Sequence, residues 1–198
     1  MSFIIYYDWA YDRSTALARK STSLPANTFI RTTGDADRLM ALIRASAGRV
    51  HDWVAAQSGD PLEMLRSMKF SPIGFHPVED RPLNIVEQIN QTWTYAVAIA
   101  AARQLLQLHP EAGGFHLAPG AHASRELDIM SEMPGHVGAE TFAAVTPKNN
   151  DKLNGDLTKL AVRPETHRYV FFMSPLYPGN ARQPQFERDG VQVWSVDV

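Results

Sequence analysis

Residues Asn84–Leu108 read NIVEQINQTWTYAVAIAAARQLLQL, and this run of apolar and small residues predicts one long helix. From Gln88 to Ala102 the stretch contains no charged residue. A surface helix normally carries several Lys, Arg or Glu over such a length, so we expect neighbouring elements to cover this helix on most sides. A carboxylate, Glu87, nevertheless stands in its first turn and requires a reason of its own.

The chain before the long helix forms an N-terminal region that ends in a connector. Its predicted elements are a strand over Ser2–Trp9, a short strand over Phe29–Thr32, a helix over Asp35–Gln57 and a short helix over Pro61–Met68. Lys69–Pro82 holds three prolines and a glycine, which is typical of a connector or a short strand. We therefore divide the chain into an N-terminal extension, residues 1–80, and a core, residues 81–198.

The sequence after the long helix predicts several strands and a single further helix. The strands are Phe115–Ala118, Leu127–Met130, His136–Val145, Arg168–Met173 and Val191–Val196, with a helix from Asn149 or Asn150 to about Val162 between the third and fourth. Three strands followed by a helical crossover into a fourth imply a mixed sheet with helices on its faces. The fold class is therefore α/β.

Composition excludes several kinds of site. The chain has 198 residues and no cysteine, so disulfides, zinc–thiolate sites and thiol nucleophiles are excluded. The formal net charge of −2 gives no global signal for nucleic-acid binding, which would depend on a local patch of Lys and Arg. The N-terminus does not read as a secretory signal, and no stretch is apolar enough to cross a bilayer, so we expect a cytoplasmic protein with no membrane partner.

The order helix, three strands, helix, strand resembles the core of the PD-(D/E)XK nuclease superfamily over Pro82–Met173. That family places an acid at the start of the second core strand and a D/E-x-K triplet on the third, and many members add a glutamate from the first helix. The matching positions in this sequence are Asp128 in LDI, Glu140 in AETFA and Glu87. The resemblance implies a restriction-endonuclease-like αβββαβ core that cleaves nucleic acid, DNA more than RNA, with an N-terminal α+β extension used for recognition, a protein partner or homodimerisation.

The chemistry of phosphodiester hydrolysis requires acids of this kind. A hard divalent cation polarises the phosphate and lowers the pKa of the attacking water, and Mg²⁺ binds carboxylate oxygens. We expect Asp128 and Glu140, on adjacent antiparallel strands, to bind Mg²⁺ or Mn²⁺, with Glu87 as a third ligand or a neighbour of the ligands. Asp128 could also be a turn carboxylate, and Glu87 could simply stabilise the start of its helix.

The sequence departs from the family at the motif lysine, where Phe142 stands and faces the same way as Glu140. Lys152, in the first turn of the following helix, is the best replacement as a catalytic lysine, with Lys148 just before it and Lys159 two turns further on. The alternative is a nuclease-like protein without catalysis, an accessory or inhibitor subunit of a nucleic-acid or defence system, and a small-molecule enzyme is a weaker third hypothesis. His116 and His122 form a further candidate metal pair, but their spacing matches no metal motif.

Overall fold

The structure, a computed structural model, describes residues 28–120, 125–148 and 151–198. The helices of this part are α1 (Thr33–Ala55), α2 (Pro61–Phe70), α3 (Ile85–Leu108) and α4 (Lys152–Ala161). The strands are β1 (Phe29–Ile30), β2 (Gly74–Phe75), β3 (Pro82–Leu83), β4 (Phe115–Leu117), β5 (Ile129–Ser131), β6 (Val137–Ala143), β7 (His167–Met173), β8 (Ala181–Arg182) and β9 (Val191–Ser195). The predicted strand at Ser2–Trp9 and the predicted helix caps at Asn149 and Asn150 lie outside the described residues.

Helix α3 begins where the sequence predicts it. The side-chain oxygen of Asn84 accepts a hydrogen bond from the Glu87 backbone N–H at 2.8 Å, which satisfies one free donor of the first turn. The second half of α3 is covered as expected, since Tyr95–Ala102 is buried apart from the half-buried Ala100. The expectation is wrong for the first half, where Ile89 and Trp93 are 46% and 42% exposed.

Seven strands form one mixed sheet in the order β1-β4-β5-β6-β7-β9-β8. The pairs from β1 to β6 and the β8–β9 pair are antiparallel, whereas β6–β7 and β7–β9 are parallel. Helix α4 connects β6 to β7, as a parallel pair requires. The predicted α/β class, with a mixed sheet and flanking helices, is confirmed.

The two faces of the sheet bury different side chains because residues alternate along a strand. One face, including Ala139 and Phe171, packs against α1 and α3. The other face, including Phe142 and Phe172, packs against three leucines of α4. Fully burying a large apolar side chain contributes about 1.5–3 kcal/mol, so both layers contribute to stability. The strands between them are held in place from both sides.

The N-terminal region packs onto the core through shared strands and side chains. Strand β1 pairs with β4, and α1 lies against α3 in one hydrophobic cluster. The buried Gln88 of α3 donates to the Ser46 carbonyl and hydroxyl of α1 at 2.9 and 2.8 Å and accepts from the Phe75 N–H of β2 at 2.7 Å. These bonds join three elements across the predicted boundary, whose position near residue 80 stays a prediction.

None of the helices in the described part of the chain is long and apolar enough to cross a membrane.

Candidate active-site cleft

The cleft forms where strands β5 and β6 part. Their pairing includes Ile129 opposite Ala139, and Asp128 directly precedes β5. The Asp128 Oδ2 atom accepts hydrogen bonds from the Thr141 backbone N–H at 2.8 Å and the Thr141 hydroxyl at 3.0 Å. The Asp128 carboxylate thus takes the place of a strand partner for β6. The Thr141 backbone N–H fixes the position of this carboxylate.

Glu140 lies in the middle of β6 and points to the side of the sheet covered by α4. It is only 3% exposed. Its Oε1 atom accepts a hydrogen bond from the Lys159 Nζ atom at 2.7 Å. A buried carboxylate requires such a partner because an unpaired charge away from water is costly. Lys159, two turns along α4, therefore reaches the position beside Glu140 that Lys152 was expected to take.

Helix α4 carries a third carboxylate, Asp156, beside the cleft but outside its described lining, and the sequence analysis did not single it out. Asp156 is buried, and its Oδ1 atom accepts a hydrogen bond from the Lys152 Nζ atom at 2.6 Å. Its Oδ2 atom is buried without a hydrogen-bond partner among the described residues. The signal was present in the helical spacing, because Asp156 shares the buried stripe of Leu153, Leu157 and Leu160. An acid on such a stripe indicates a specific partner.

The electrostatics of these groups reflect burial and crowding. Burial raises the pKa of Asp128, partly offset by the hydrogen bonds from Thr141. Burial, followed by the charge of Asp128, raises the pKa of Glu140 from its ordinary value of 4.5 to about 7. Burial also raises the pKa of Asp156. Burial opposes the charge of Lys152, but the carboxylates of Asp156 and Glu140 outweigh it and raise the pKa of that ammonium.

The cleft is open to solvent and has a volume of about 860 Å³. Its floor includes Asp128 and Glu140, and one wall carries Lys152 and Lys159 of α4. The lining also includes Asn90 and Thr94 of α3, and Arg125 and Glu126 before β5. Both ammonium groups therefore face the same space as the two strand-borne acids.

Glu87 lies apart from the acids with which the sequence grouped it. It is exposed in the first turn of α3 and is not part of the described cleft lining. Asn90, one turn further along the same side of the helix, is the first residue of α3 in the cleft lining, followed by Thr94. The structure thus brings together Asp128, Glu140 and Lys152 of the expected set and places Glu87 one turn outside them.

Phe142 explains why the motif lysine has no room on β6. Its ring stacks on Phe172 with 5.8 Å between centroids and joins the core beneath α4. Of the other two lysines considered, Lys159 reaches Glu140, whereas Lys148 is exposed and lies over the Phe186 ring. The histidine pair named from the sequence, His116 and His122, is only partly described, because His122 lies outside the described residues.

The chemistry that this arrangement permits follows from its donors. Carboxylate oxygens on adjacent elements are ligands for a hard divalent cation, and ammonium groups beside them bind an anionic group.

No protein-family model matches the chain, and no curated protein or solved structure resembles it significantly.

Proposed function

We propose that the protein hydrolyses phosphodiester bonds of nucleic acid, with DNA as the preferred substrate, in a Mg²⁺-dependent site of the PD-(D/E)XK type. The order α3-β4-β5-β6-α4-β7, with three antiparallel strands followed by a parallel one, supports this proposal. The restriction-endonuclease-like core is part of the same proposal.

One observation carries the proposal. Asp128 and Glu140, twelve positions apart in the sequence, face one open cleft together with two lysines of α4. Buried acids in an ordinary core are paired and closed off from solvent, whereas these line a space large enough for a nucleotide phosphate. The combination of acids for a cation and ammonium groups for an anion favours phosphoryl chemistry over a purely structural ion pair.

The donor set fits a hard divalent cation. Asp128 and Glu140 would hold Mg²⁺ or Mn²⁺. Nearby, the buried Oδ2 atom of Asp156 accepts no hydrogen bond among the described residues and is a further oxygen that a cation could satisfy. Such an ion polarises the phosphate and lowers the pKa of the attacking water. Glu87 lies outside the described cleft lining, so its role as a third ligand is not part of the proposal.

The remaining residues of the site position and balance charge. Thr141 fixes one oxygen of Asp128 through two hydrogen bonds, so the carboxylate has little freedom to turn away. Lys152, anchored by Asp156, places its ammonium where it can stabilise negative charge that develops on the phosphate. The Lys159 ammonium pairs with the Glu140 carboxylate and opposes the rise in its pKa.

A second candidate function is a nuclease-like protein that binds a partner without catalysis. The specific observation in its favour is the ion pair between Lys159 and Glu140, which gives the cleft its own internal cation. Phe142 at the motif lysine position and the net charge of −2 are in accord with it. In this case the cleft would be a remnant of a nuclease scaffold, retained for its shape.

Cleavage assays separate the two candidates. The untagged full chain is incubated with supercoiled plasmid and with single-stranded DNA, in Mg²⁺, in Mn²⁺ and in EDTA. We expect cleavage that requires the metal and is lost in Asp128→Asn and in Glu140→Gln. Glu132→Gln is the matched control, because this exposed acid pairs with Arg31 outside the cleft and should leave cleavage unchanged.

Melting curves with and without metal complete the test. A folded protein that cleaves neither substrate, and whose melting temperature does not respond to Mg²⁺ or Mn²⁺, would overturn the nuclease proposal and favour the binding protein. Cleavage that survives both substitutions would show that the activity comes from elsewhere.

A further inference from the structure

A second polar cluster, built from three histidines, lies at the opposite end of β6 from the cleft. His109 follows the last residue of α3, His136 directly precedes β6, and His167 is the first residue of β7. One ligand atom from each of the three rings lies within 4.8 Å of those of the other two. His136 precedes Glu140 by four residues, which is about 13 Å along a strand, so this cluster and the cleft are separate places.

The fold itself brings the three rings together. Strands β6 and β7 are parallel and in register, so their first residues lie side by side, and the His167 N–H donates to the His136 carbonyl at 2.9 Å. Helix α3 crosses the same sheet and ends over this edge, which places the buried His109 ring 4.4 Å from the His167 ring, centroid to centroid. Three separate elements therefore converge on one point.

A carboxylate, Glu111, borders the cluster and lies close to two of its three rings. The Oε1 atom of Glu111 lies 3.1 Å from His109 Nδ1 and 2.8 Å from His136 Nε2. A tetrahedral site with bonds of about 2.0–2.1 Å holds its ligand atoms about 3.3 Å apart. Each of these two oxygen–nitrogen distances is close to the separation that a shared cation would impose, and Glu111 is 52% exposed, so an ion can enter from solvent.

A neighbouring tyrosine, Tyr169, fixes the orientation of the His109 ring. The Tyr169 hydroxyl lies 2.7 Å from His109 Nε2. In the metal-free protein Nδ1 donates its proton to Glu111 and Nε2 accepts from the Tyr169 hydroxyl, whereas a metal ion on Nδ1 requires the other tautomer, in which Nε2 donates to the Tyr169 oxygen. Metal-binding histidines commonly use the second ring nitrogen in this way, for a hydrogen bond that selects the tautomer.

We propose that His109, His136, His167 and Glu111 form a binding site for a divalent transition metal ion of the Zn²⁺ type. Imidazole nitrogen prefers such borderline ions, whereas Mg²⁺ takes oxygen ligands, so the site is distinct in chemistry from the acidic cleft. Three imidazole nitrogens bind the ion, and Glu111, beside two of these rings, is the group that would close the shell as a fourth ligand, the form of a structural site. The bound ion joins the end of α3 to the starts of β6 and β7.

Calorimetry and melting curves on the untagged full chain, stripped with a chelator, test the site. We expect one Zn²⁺ ion per chain, a rise in melting temperature with Zn²⁺ but not with Mg²⁺, and tetrahedral absorption bands with Co²⁺. His136→Gln and His167→Gln should each weaken Zn²⁺ binding about tenfold or more, and Glu111→Gln should weaken it as well. His51→Gln is the matched control, because that exposed ring lies on α1 beside Asp52.

Circular dichroism of each variant shows whether it has folded before binding is measured. Absence of Zn²⁺ binding to the folded wild-type chain would overturn the proposal and leave an aromatic cluster. Equal affinity in the folded histidine variants would also overturn it, and unchanged affinity in Glu111→Gln would overturn the closed, four-ligand form. These outcomes are independent of DNA cleavage, so this site and the proposed nuclease function fail or stand separately.

Discussion

Two glutamates, Glu140 in the middle of β6 and Glu111 beside the start of that strand, have pKa values displaced in opposite directions. Burial and the charge of Asp128 raise the pKa of Glu140 to about 7. Hydrogen bonds from His136, from its own backbone N–H and from His109 lower the pKa of the exposed Glu111 to about 2. Glu140 accepts a hydrogen bond from Lys159 and lies near the acids Asp128 and Asp156. Glu111 instead accepts hydrogen bonds from two histidines.

The difference shows that surroundings determine what each end can bind. The end with Asp128 and Glu140 offers oxygen and suits a hard cation, while the end with Glu111 and its histidines offers mainly nitrogen and suits a borderline one. The two proposed sites along this strand therefore differ in the kind of cation that their ligand atoms favour.

The largest expected effect is on catalysis at the oxygen-rich end. Lys152→Met removes the ammonium proposed to stabilise the phosphate, so we expect kcat for DNA cleavage to fall about 10²–10³-fold. Lys159→Met should lower kcat less, because its charge balances Glu140. Lys69→Met, on the exposed end of α2, is the control. If both cleft variants cleave at the wild-type rate, the ammonium groups have no part in the reaction.

The next effect is on the pH dependence of stability, measured in EDTA. The raised pKa of Glu140 means that the folded state holds its proton more tightly, so this contribution is complete below about pH 4.5 and disappears as pH rises to about 7. Glu140→Gln lacks this loss, so its stability relative to wild type should rise by up to about 3 kcal/mol across that range.

Urea unfolding at several pH values measures this difference. Glu132→Gln serves as the control, because its carboxyl is exposed beside Arg31. A stability difference between Glu140→Gln and wild type that stays constant from pH 4 to pH 8 would show that Glu140 is not held in its neutral form.

A somewhat smaller effect concerns the independence of the two ends. At a free Zn²⁺ concentration of about 100 times Kd, binding at the histidine end should stabilise the fold by about 2.7 kcal/mol. Asp128→Asn should leave this gain unchanged, because its carboxyl lies at the other end of β6. Chemical denaturation with and without Zn²⁺ measures the gain. A gain that disappears in Asp128→Asn would place the Zn²⁺ ion in the cleft.

The smallest effect is on the hydrogen bond that positions Asp128. Thr141→Val keeps the shape of the side chain but removes the hydroxyl donor, so we expect a loss of about 1 kcal/mol and a further rise in the pKa of Asp128. Thr141→Ser keeps the donor and should restore the wild-type pKa, measured by NMR titration. An unchanged pKa in Thr141→Val would show that the backbone N–H alone fixes the carboxylate.

Much of the fold was predictable because it depends on local patterns. The uncharged run of α3, the Pro134–Gly135 turn before β6 and the apolar strand RYVFFM each indicate their element from neighbouring residues alone. The same turn predicted antiparallel strands carrying Asp128 and Glu140, and the structure pairs β5 and β6 in this way, with Asp128 one residue before β5. The predicted roles of these two acids remain to be tested.

The rest depended on distances that a sequence pattern does not contain. Lys159 reaches Glu140 because of how α4 lies across the sheet, and Glu87 lies outside the described lining because the helix enters the cleft one turn later. His109 and His167 are far apart in the chain and meet only through the packing of α3 on β7. No short motif could indicate such a cluster.

The edges of the sheet bear on how the protein behaves at high concentration. In the described part of the chain the sheet ends on each side in a strand of two residues, β1 and β8. Beyond β8, the Gln183 N–H donates to the Val193 carbonyl, and the Val191 N–H donates to the Arg188 carbonyl, so loop residues occupy much of the outer side of β9. A long free edge recruits strands from other molecules and starts aggregation, whereas an edge this short offers them little to pair with.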